Sequence, residues 1–161
     1  CFQCDNPPCT KVCPVHATFL NEDGLVGQVY YRCIGCRFCS AACPYTAKTY
    51  NYAEPEVPPA FDILQNPDVT RRMKGVVEKC SFCHHRLARA KDLARFEDRE
   101  LREEDYQPAC SDSCPTAAIT FGDLDNPDHH VNHLAHSNRA FRIEEELGTE
   151  PKVYYLSKEG Q

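Results

Sequence analysis

Twelve cysteines in 161 residues fall into tight runs, and that spacing limits what the chain can fold around. The first run is Cys1-x2-Cys4-x4-Cys9-x3-Cys13-Pro14, and the second is Cys33-x2-Cys36-x2-Cys39-x3-Cys43-Pro44. The third group, Cys80-x2-Cys83-x26-Cys110-x3-Cys114-Pro115, is a similar run opened by a long insert. Disulfide frameworks spread their cysteines so that each bond staples distant strands. Runs this dense aim several sulfurs at one small volume, which suits a metal centre. The rest of the chain needs such a centre. Leu, Ile, Val and Phe make up about a fifth of it, close to the level at which disorder competes with folding. Small cysteine-rich proteins with thin cores are held by disulfides or bound metal.

Charge and hydropathy exclude several classes. The net charge is −6, with no Lys/Arg block and no basic-aromatic stripe, so the electrostatic footprint of nucleic-acid binding is missing. No apolar run approaches the ~18 residues of a membrane span. No nucleophile–base arrangement and no glycine-rich phosphate loop is visible. Substrate chemistry by this chain alone is therefore not expected.

A short repeat organises the chain. Cys13-Pro14-Val15-His16-Ala17 is followed by Phe19. Cys43-Pro44-Tyr45-Thr46-Ala47 is followed by Tyr50, and Cys114-Pro115-Thr116-Ala117-Ala118 by Phe121. Proline fixes φ and turns the chain after each cysteine, and the small alanine permits close backbone approach. Asn21-Glu22-Asp23-Gly24 predicts a turn, and residues 25–32 a short strand. Residues 54–68, with four prolines, predict a surface loop or extended arm. Residues 81–105 predict a mainly helical, charged insert with a weak stripe of Leu87, Leu93 and Leu101. Asp125-Asn126-Pro127 predicts a helix start running through His136. Residues 153–156 predict a final strand or an extended tail against a partner.

The second run matches the bacterial ferredoxin spacing for a [4Fe–4S] cluster, in which the fourth cysteine ligates the other cluster of a pair. That crossing assigns Cys1, Cys4, Cys9 and Cys43 to one cluster, and Cys33, Cys36, Cys39 and Cys13 to the other. Gly35, inside the second run, suits close backbone approach, although an ordinary turn also uses glycine. In the third group, the same rule gives Cys80, Cys83 and Cys110 to one cluster and Cys114 to another. Both would need cysteines from one further run, expected ahead of Cys1. Two readings stay open, since all four could instead serve one metal, as a third cluster or a zinc site.

With these spacings, Arg32-Cys33-Ile34-Gly35-Cys36-Arg37-Phe38-Cys39, Glu78-Lys79-Cys80-Ser81-Phe82-Cys83 and Phe121-Gly122-Asp123-Leu124 resemble a known family. It comprises the four-cluster iron–sulfur subunits of membrane-bound molybdopterin oxidoreductase complexes of the dimethyl sulfoxide and polysulfide reductase type. Related subunits occur in alternative complex III and in quinone reductase complexes. The resemblance implies an α+β, ferredoxin-like multi-cluster scaffold of short helices, strand pairs and long loops. It implies an electron-transfer subunit, not catalytic alone, with two [4Fe–4S] clusters fully ligated here and four in the complete protein. The implied partners are a catalytic molybdopterin-type subunit and a polytopic quinone-reacting membrane subunit, with a cytochrome subunit a further candidate. The implied location is peripheral on a membrane complex, the periplasmic face favoured over the cytoplasmic. Residues 1–53 would form a two-cluster module, 54–79 a Pro-rich loop, 80–128 a second module lacking its N-terminal cysteine run, and 129–161 a C-terminal helix and tail. The alternatives are an iron–sulfur subunit of a soluble hydrogenase or dehydrogenase, and a zinc-stabilised interaction module.

His129, His130, His133 and His136 stand at helical spacing, but no cysteine or carboxylate pair accompanies them, and a polar face or partner contact is the simpler reading. His84 and His85 follow a cysteine pair and either tune a centre or begin a helix. Arg37, also beside the cysteines, either raises a cluster potential or is solvated.

Overall fold

The structure, a computed structural model, describes residues 1–54 and 56–158. Pro55 of the Pro-rich segment and the last three residues of the tail lie outside them. Five short helices and three antiparallel strand pairs make a mixed α/β chain among the described residues. It divides into two compact units. The first is Cys1–Ser81 with Glu145–Lys152, and the second is Phe82–Glu144 with the described part of the segment that starts at Val153.

In the first unit, α1 (Pro8–Lys11) and α2 (Phe38–Ala42) each carry one buried cysteine, Cys9 and Cys39. Pro8 opens α1 where its missing N–H costs nothing. Strands β1 (Thr18–Leu20) and β2 (Val26–Gln28) form a hairpin in the register Thr18↔Gln28, Phe19↔Gly27, Leu20↔Val26. Its turn is closed by Asn21, whose Oδ1 accepts from the N–H groups of Asp23 and Leu25 at 3.1 and 2.7 Å. The strand expected over 25–32 ends early, and Tyr30–Arg32 form a 3-10 turn. The turn redirects the chain, and the Cys33 N–H bonds back to the Tyr30 carbonyl at 3.0 Å. Strands β3 (Thr49–Tyr50) and β4 (Val77–Glu78) pair as Thr49↔Glu78 and Tyr50↔Val77. The core they enclose is small: Cys9, Val26, Cys39 and Val77, ringed by Val12, Cys33 and Tyr50.

Between β3 and β4 the Pro-rich segment contains a 3-10 stretch, Pro59–Leu64, where a loop was expected. Proline at its start presets φ for the turn. In the first unit the returning segment lies along the first cysteine run. The Asp5 and Asn6 N–H groups bond to the Glu150 and Thr149 carbonyls, and the Lys152 N–H to the Phe2 carbonyl, at 2.9–3.1 Å.

In the second unit, α3 (His84–Phe96) buries Leu87, Ala90 and Ala94. This corrects the Leu87–Leu93–Leu101 stripe, since Leu93 is 49% exposed and Leu101 also reaches solvent. The i, i+3, i+7 spacing of the observed set puts all three on one face. Helix also stops short of the whole insert, and only a 3-10 turn, Glu103–Asp105, follows. There Asp105 accepts from the Arg102 N–H at 2.8 Å and pairs with Arg99. Further on come α4 (Ala109–Asp112) and α5 (His130–Ala135). The helix expected from 125–127 starts at His130 instead, because Asn126 caps a tight turn and accepts the Asp128 N–H at 3.0 Å. Strands β5 (Ala140–Phe141) and β6 (Tyr155–Leu156) pair antiparallel, so the final strand expected over 153–156 is present but shorter.

Candidate metal centre

Two hollows in the first unit gather eight cysteines. One is lined by Cys13, Cys33, Cys36 and Cys39, with Ala17, Gly35 and Gln28, and holds about 280 Å³ of space partly open to solvent. The other is lined by Cys1, Cys4, Cys9 and Cys43, with Pro44, Ala47 and Lys48, and holds about 350 Å³. Each hollow thus combines three cysteines of one run with the fourth of the other. Among the described residues, no group of three or more His, Cys, Asp and Glu closes on a point that would hold a single ion. A cubane makes no such demand, because its four thiolates bind four different irons.

The backbone around the cysteines repeats three times. In the opening Cys-x-x-Cys of each run the residue before the second cysteine is left-handed: Gln3 at φ 47°, Gly35 at 69° and Phe82 at 51°. The third cysteine of each run sits on a short helix: Cys9 on α1, Cys39 on α2 and Cys110 on α4. After each Cys-Pro, an N–H three residues on bonds back to the cysteine carbonyl: His16 to Cys13, Thr46 to Cys43 and Ala117 to Cys114, at 3.2–3.3 Å. The same three residues are left-handed, at φ 47°, 53° and 49°. Such strain in non-glycine residues persists only where the surroundings impose it.

The turn aims amides at sulfur. The Ala17 N–H reaches Cys13 Sγ at 3.2 Å, and the Val77 N–H reaches Cys33 Sγ at 3.5 Å. Burial works against ionisation of Cys13, yet the amides of Thr18, Val15 and Ala17 and the charge of Lys48 outweigh it and hold the thiol below its ordinary value. Cys114 is lowered by the Thr116 hydroxyl and by the amides of Ala118, Thr116 and Ile119. Those amides occupy the positions in their run that Ala17, Val15 and Thr18 occupy after Cys13. Burial pushes the Cys4, Cys9 and Cys39 thiols up, as expected of thiols in apolar surroundings.

The third group is distributed differently. Cys80 belongs to the first unit, and Cys83, Cys110 and Cys114 to the second. Cys80 is held by Gln3, which is fully buried and donates from Nε2 to the Cys80 carbonyl at 2.8 Å. Gln3 Oε1 meanwhile accepts from the Val26 N–H at 2.8 Å. In the second unit the Ala109 N–H reaches Cys83 Sγ at 3.4 Å.

The other candidates take structural positions. Gly35 is required twice over: its φ is positive, and a Cβ there would collide with the Gly75 carbonyl. Arg37 lines the first hollow, lies over the Tyr50 ring at 5.2 Å and donates to Tyr52 Oη at 3.3 Å. His84 and His85 open α3. His129 Nδ1 accepts from the Asp123 N–H at 3.0 Å, and His136 Nδ1 contacts the Asn132 carbonyl at 2.8 Å. His129 precedes α5, while His130 and His133 lie on it.

Sequence reasoning missed the polar residues between the hollows. Lys48 is only 6% exposed and donates from Nζ to Thr18 Oγ1 and to Gln28 Oε1, both at 3.0 Å. The Thr18 hydroxyl donates to Gln28 Oε1 at 2.8 Å. Among the described residues Gln28 Nε2 is buried without a hydrogen-bond partner. Lys79, half-buried after β4, has its ammonium depressed to about 8 by burial and then by Lys48. Only the strand registers bring these groups together, and no motif announces them.

The donor set fits an iron–sulfur cluster: four thiols around each hollow, amides directed at sulfur, and an orphaned donor lining one of them. The comparisons agree. No family model matches the chain. It is 54% identical over 162 residues to the iron–sulfur cluster-binding subunit of menaquinone reductase from Nitratidesulfovibrio vulgaris, covering 98% of this chain and 64% of the relative. It is 37% identical over 157 residues to a polysulfide reductase subunit from Wolinella succinogenes, covering 97% and 64%. It is 32% identical over 189 residues to the iron–sulfur subunit of the arsenate respiratory reductase of a Shewanella species, covering 99% and 74%. The chain thus spans less than two thirds of the length of the first two relatives. It belongs to the family of iron–sulfur subunits of respiratory oxidoreductases of the dimethyl sulfoxide and polysulfide reductase type.

Proposed function

We propose that this chain is an electron-relay subunit on a ferredoxin-like scaffold, with Cys1, Cys4, Cys9 and Cys43 holding one [4Fe–4S] cluster and Cys33, Cys36, Cys39 and Cys13 a second. The supporting observation is the lining of the two hollows, each built from three cysteines of one run and the last of the other. Bound clusters supply one-electron chemistry. The chain supplies the thiolates, the amides that donate to sulfur and the surrounding charge. In the third group we assign Cys80, Cys83 and Cys110 to one cluster and Cys114 to another. Its support is the repeated left-handed turn and the amide nest around Cys114. Four clusters would then serve the complete protein.

The proposed partners are a molybdopterin-type catalytic subunit and a quinone-reacting membrane subunit, with a cytochrome subunit a further candidate. The names of the relatives, which include menaquinone and polysulfide reductases, support this. Among the described residues no helix is long and apolar enough to cross a membrane. From the names of the relatives we place the chain at the periphery of a membrane complex, and by resemblance to quinone-linked members at its periplasmic face. Iron and acid-labile sulfide analysis with low-temperature EPR tests the reading. Cubane signals with iron and sulfide in equal amounts are expected. A colourless chain with stoichiometric zinc would mean an interaction module instead.

A further inference from the structure

Lys48 has no carboxylate partner among the described residues. Its ammonium is buried against two neutral oxygens, Thr18 Oγ1 and Gln28 Oε1. A buried charge left uncompensated is costly, and buried charges are normally paired. The compensating charge must lie close by, and the cysteines are the candidates. Lys48 lines the hollow of Cys1, Cys4, Cys9 and Cys43. Its Nζ also bonds to Thr18 and Gln28, both of which line the hollow of Cys13, Cys33, Cys36 and Cys39. The strand pairing adds weight. Extending the β3–β4 register by one residue sets Lys48 opposite Lys79. Two cations facing each other across a strand pair repel, unless anionic centres flank them.

Gln28 completes the arrangement. Lysine can only donate, so the Gln28 atom facing Lys48 is the carbonyl oxygen. Nε2 is therefore the amide's other arm, and it is buried and unpartnered. Gln28 lines the hollow of Cys13, Cys33, Cys36 and Cys39. An orphaned buried donor beside four thiols matches a sulfur acceptor, which a bound cluster provides.

We propose that Lys48 and Gln28 set the potentials of the two clusters of the first unit: Lys48 supplies positive charge to both, and Gln28 donates a hydrogen bond to the one held by Cys13, Cys33, Cys36 and Cys39. Both are positioning residues that act through the clusters. Positive charge and hydrogen bonds to sulfur stabilise the reduced, more negative form, so both raise potential. The inference rests on the ligand sets proposed above.

EPR-monitored redox titration of the cluster-loaded chain, alone and within its purified complex, tests it. In Lys48→Met the reduced-to-oxidised ratio at fixed poise is expected to fall about tenfold or more for both clusters. A tenfold fall is a shift of about 59 mV for one electron. Lys48→Arg should stay close to the unaltered protein, and Gln28→Leu should lower one cluster and leave the other in place. If Lys48→Met fails to load, Lys48→Gln and Gln28→Leu are read in its stead. Fully loaded variants with unmoved potentials overturn this inference alone, as does an equal shift in Lys48→Met and Lys48→Arg, which would mean a steric role. An unaltered chain without iron and sulfide overturns the ligand reading, and this inference with it.

Discussion

Gly35 stands between Cys33 and Cys36 at φ 69°, against the carbonyl of Gly75. Gly148 has a similar φ of 64° but open space around it. The two separate backbone strain from close approach. Alanine at Gly148 should cost about 1–2 kcal/mol, the left-handed penalty alone. Alanine at Gly35 should cost more, because backbone cannot yield as a flexible side chain can. The unfolding midpoints of the two variants, measured side by side, check this, and equal losses would contradict it. Gln3 offers a second case. Gln3→Met keeps the volume but strands the Val26 N–H, worth about 1–3 kcal/mol when left unpaired, and leaves the Cys80 carbonyl to Lys79 Nζ. A drop in midpoint together with a changed EPR line shape at the Cys80 centre is the expected result. At this scale the sequence reveals the cysteines and hides their surroundings. Three sulfurs of each hollow follow from the local spacing of one run, and the fourth from the crossing between runs. Lys48, Thr18 and Gln28 lie 10 to 30 residues apart and meet only through strand register. The left-handed His16, Thr46 and Ala117 are hidden for another reason: none is glycine, so nothing in their identity advertises the conformation.

The helices that carry the cysteines are short, and helix propensity alone would not hold them. α1 and α2 span 4 and 5 residues, well below the length at which a helix is stable alone. The resemblance implies short helices, but the spacing of the runs does not place α1 or α2. The helix expected to run to His136 from residues 125–127 shows the limit. Asn-Pro reads equally as a helix start and as a turn, and Asn126 uses its side chain for the turn. α3 is the exception in length, at 13 residues, and its packing face is testable. Leu87 is 7% exposed, and Leu87→Ala should cost about 2–3 kcal/mol, towards the lower end of buried leucine truncations because the helix packs lightly. Leu93→Ala should stay within about 0.5 kcal/mol. The sequence pattern weighted the two leucines alike. It could not register that the small Ala90 and Ala94 carry the face, since alanine is as common on exposed helix surfaces as in cores. Thermal or urea melts of both variants distinguish the observed stripe from the expected one.

At the scale of the whole molecule, the first unit builds part of its core from cysteines. Buried apolar residues are few, and Cys4, Cys9 and Cys39 are among them. The core of the first unit is Cys9, Val26, Cys39 and Val77. Two of those four are proposed cluster ligands, so the ligands double as core. With proposed ligands making up half of so small a core, the first unit should lose its fold when iron is removed by oxidation and chelation. The second unit has a core of its own. It includes Leu87, Ala90, Ala94 and Tyr106, the Tyr106–Phe121 ring contact at 5.0 Å and the Arg99–Asp105 pair. Hydrogen exchange read by mass spectrometry, before and after chelation, resolves the two. Amides of β1, β2 and α2 should lose protection, while those of α3 should retain a large part of theirs. Zinc added to the iron-free chain should not restore β1 and β2, because one ion cannot fill a hollow shaped for a cubane. Protection of β1 and β2 that survives chelation would show that the apolar contacts of Val26 and Val77 suffice, and that the thiols are fitted to the fold rather than the fold to the cluster.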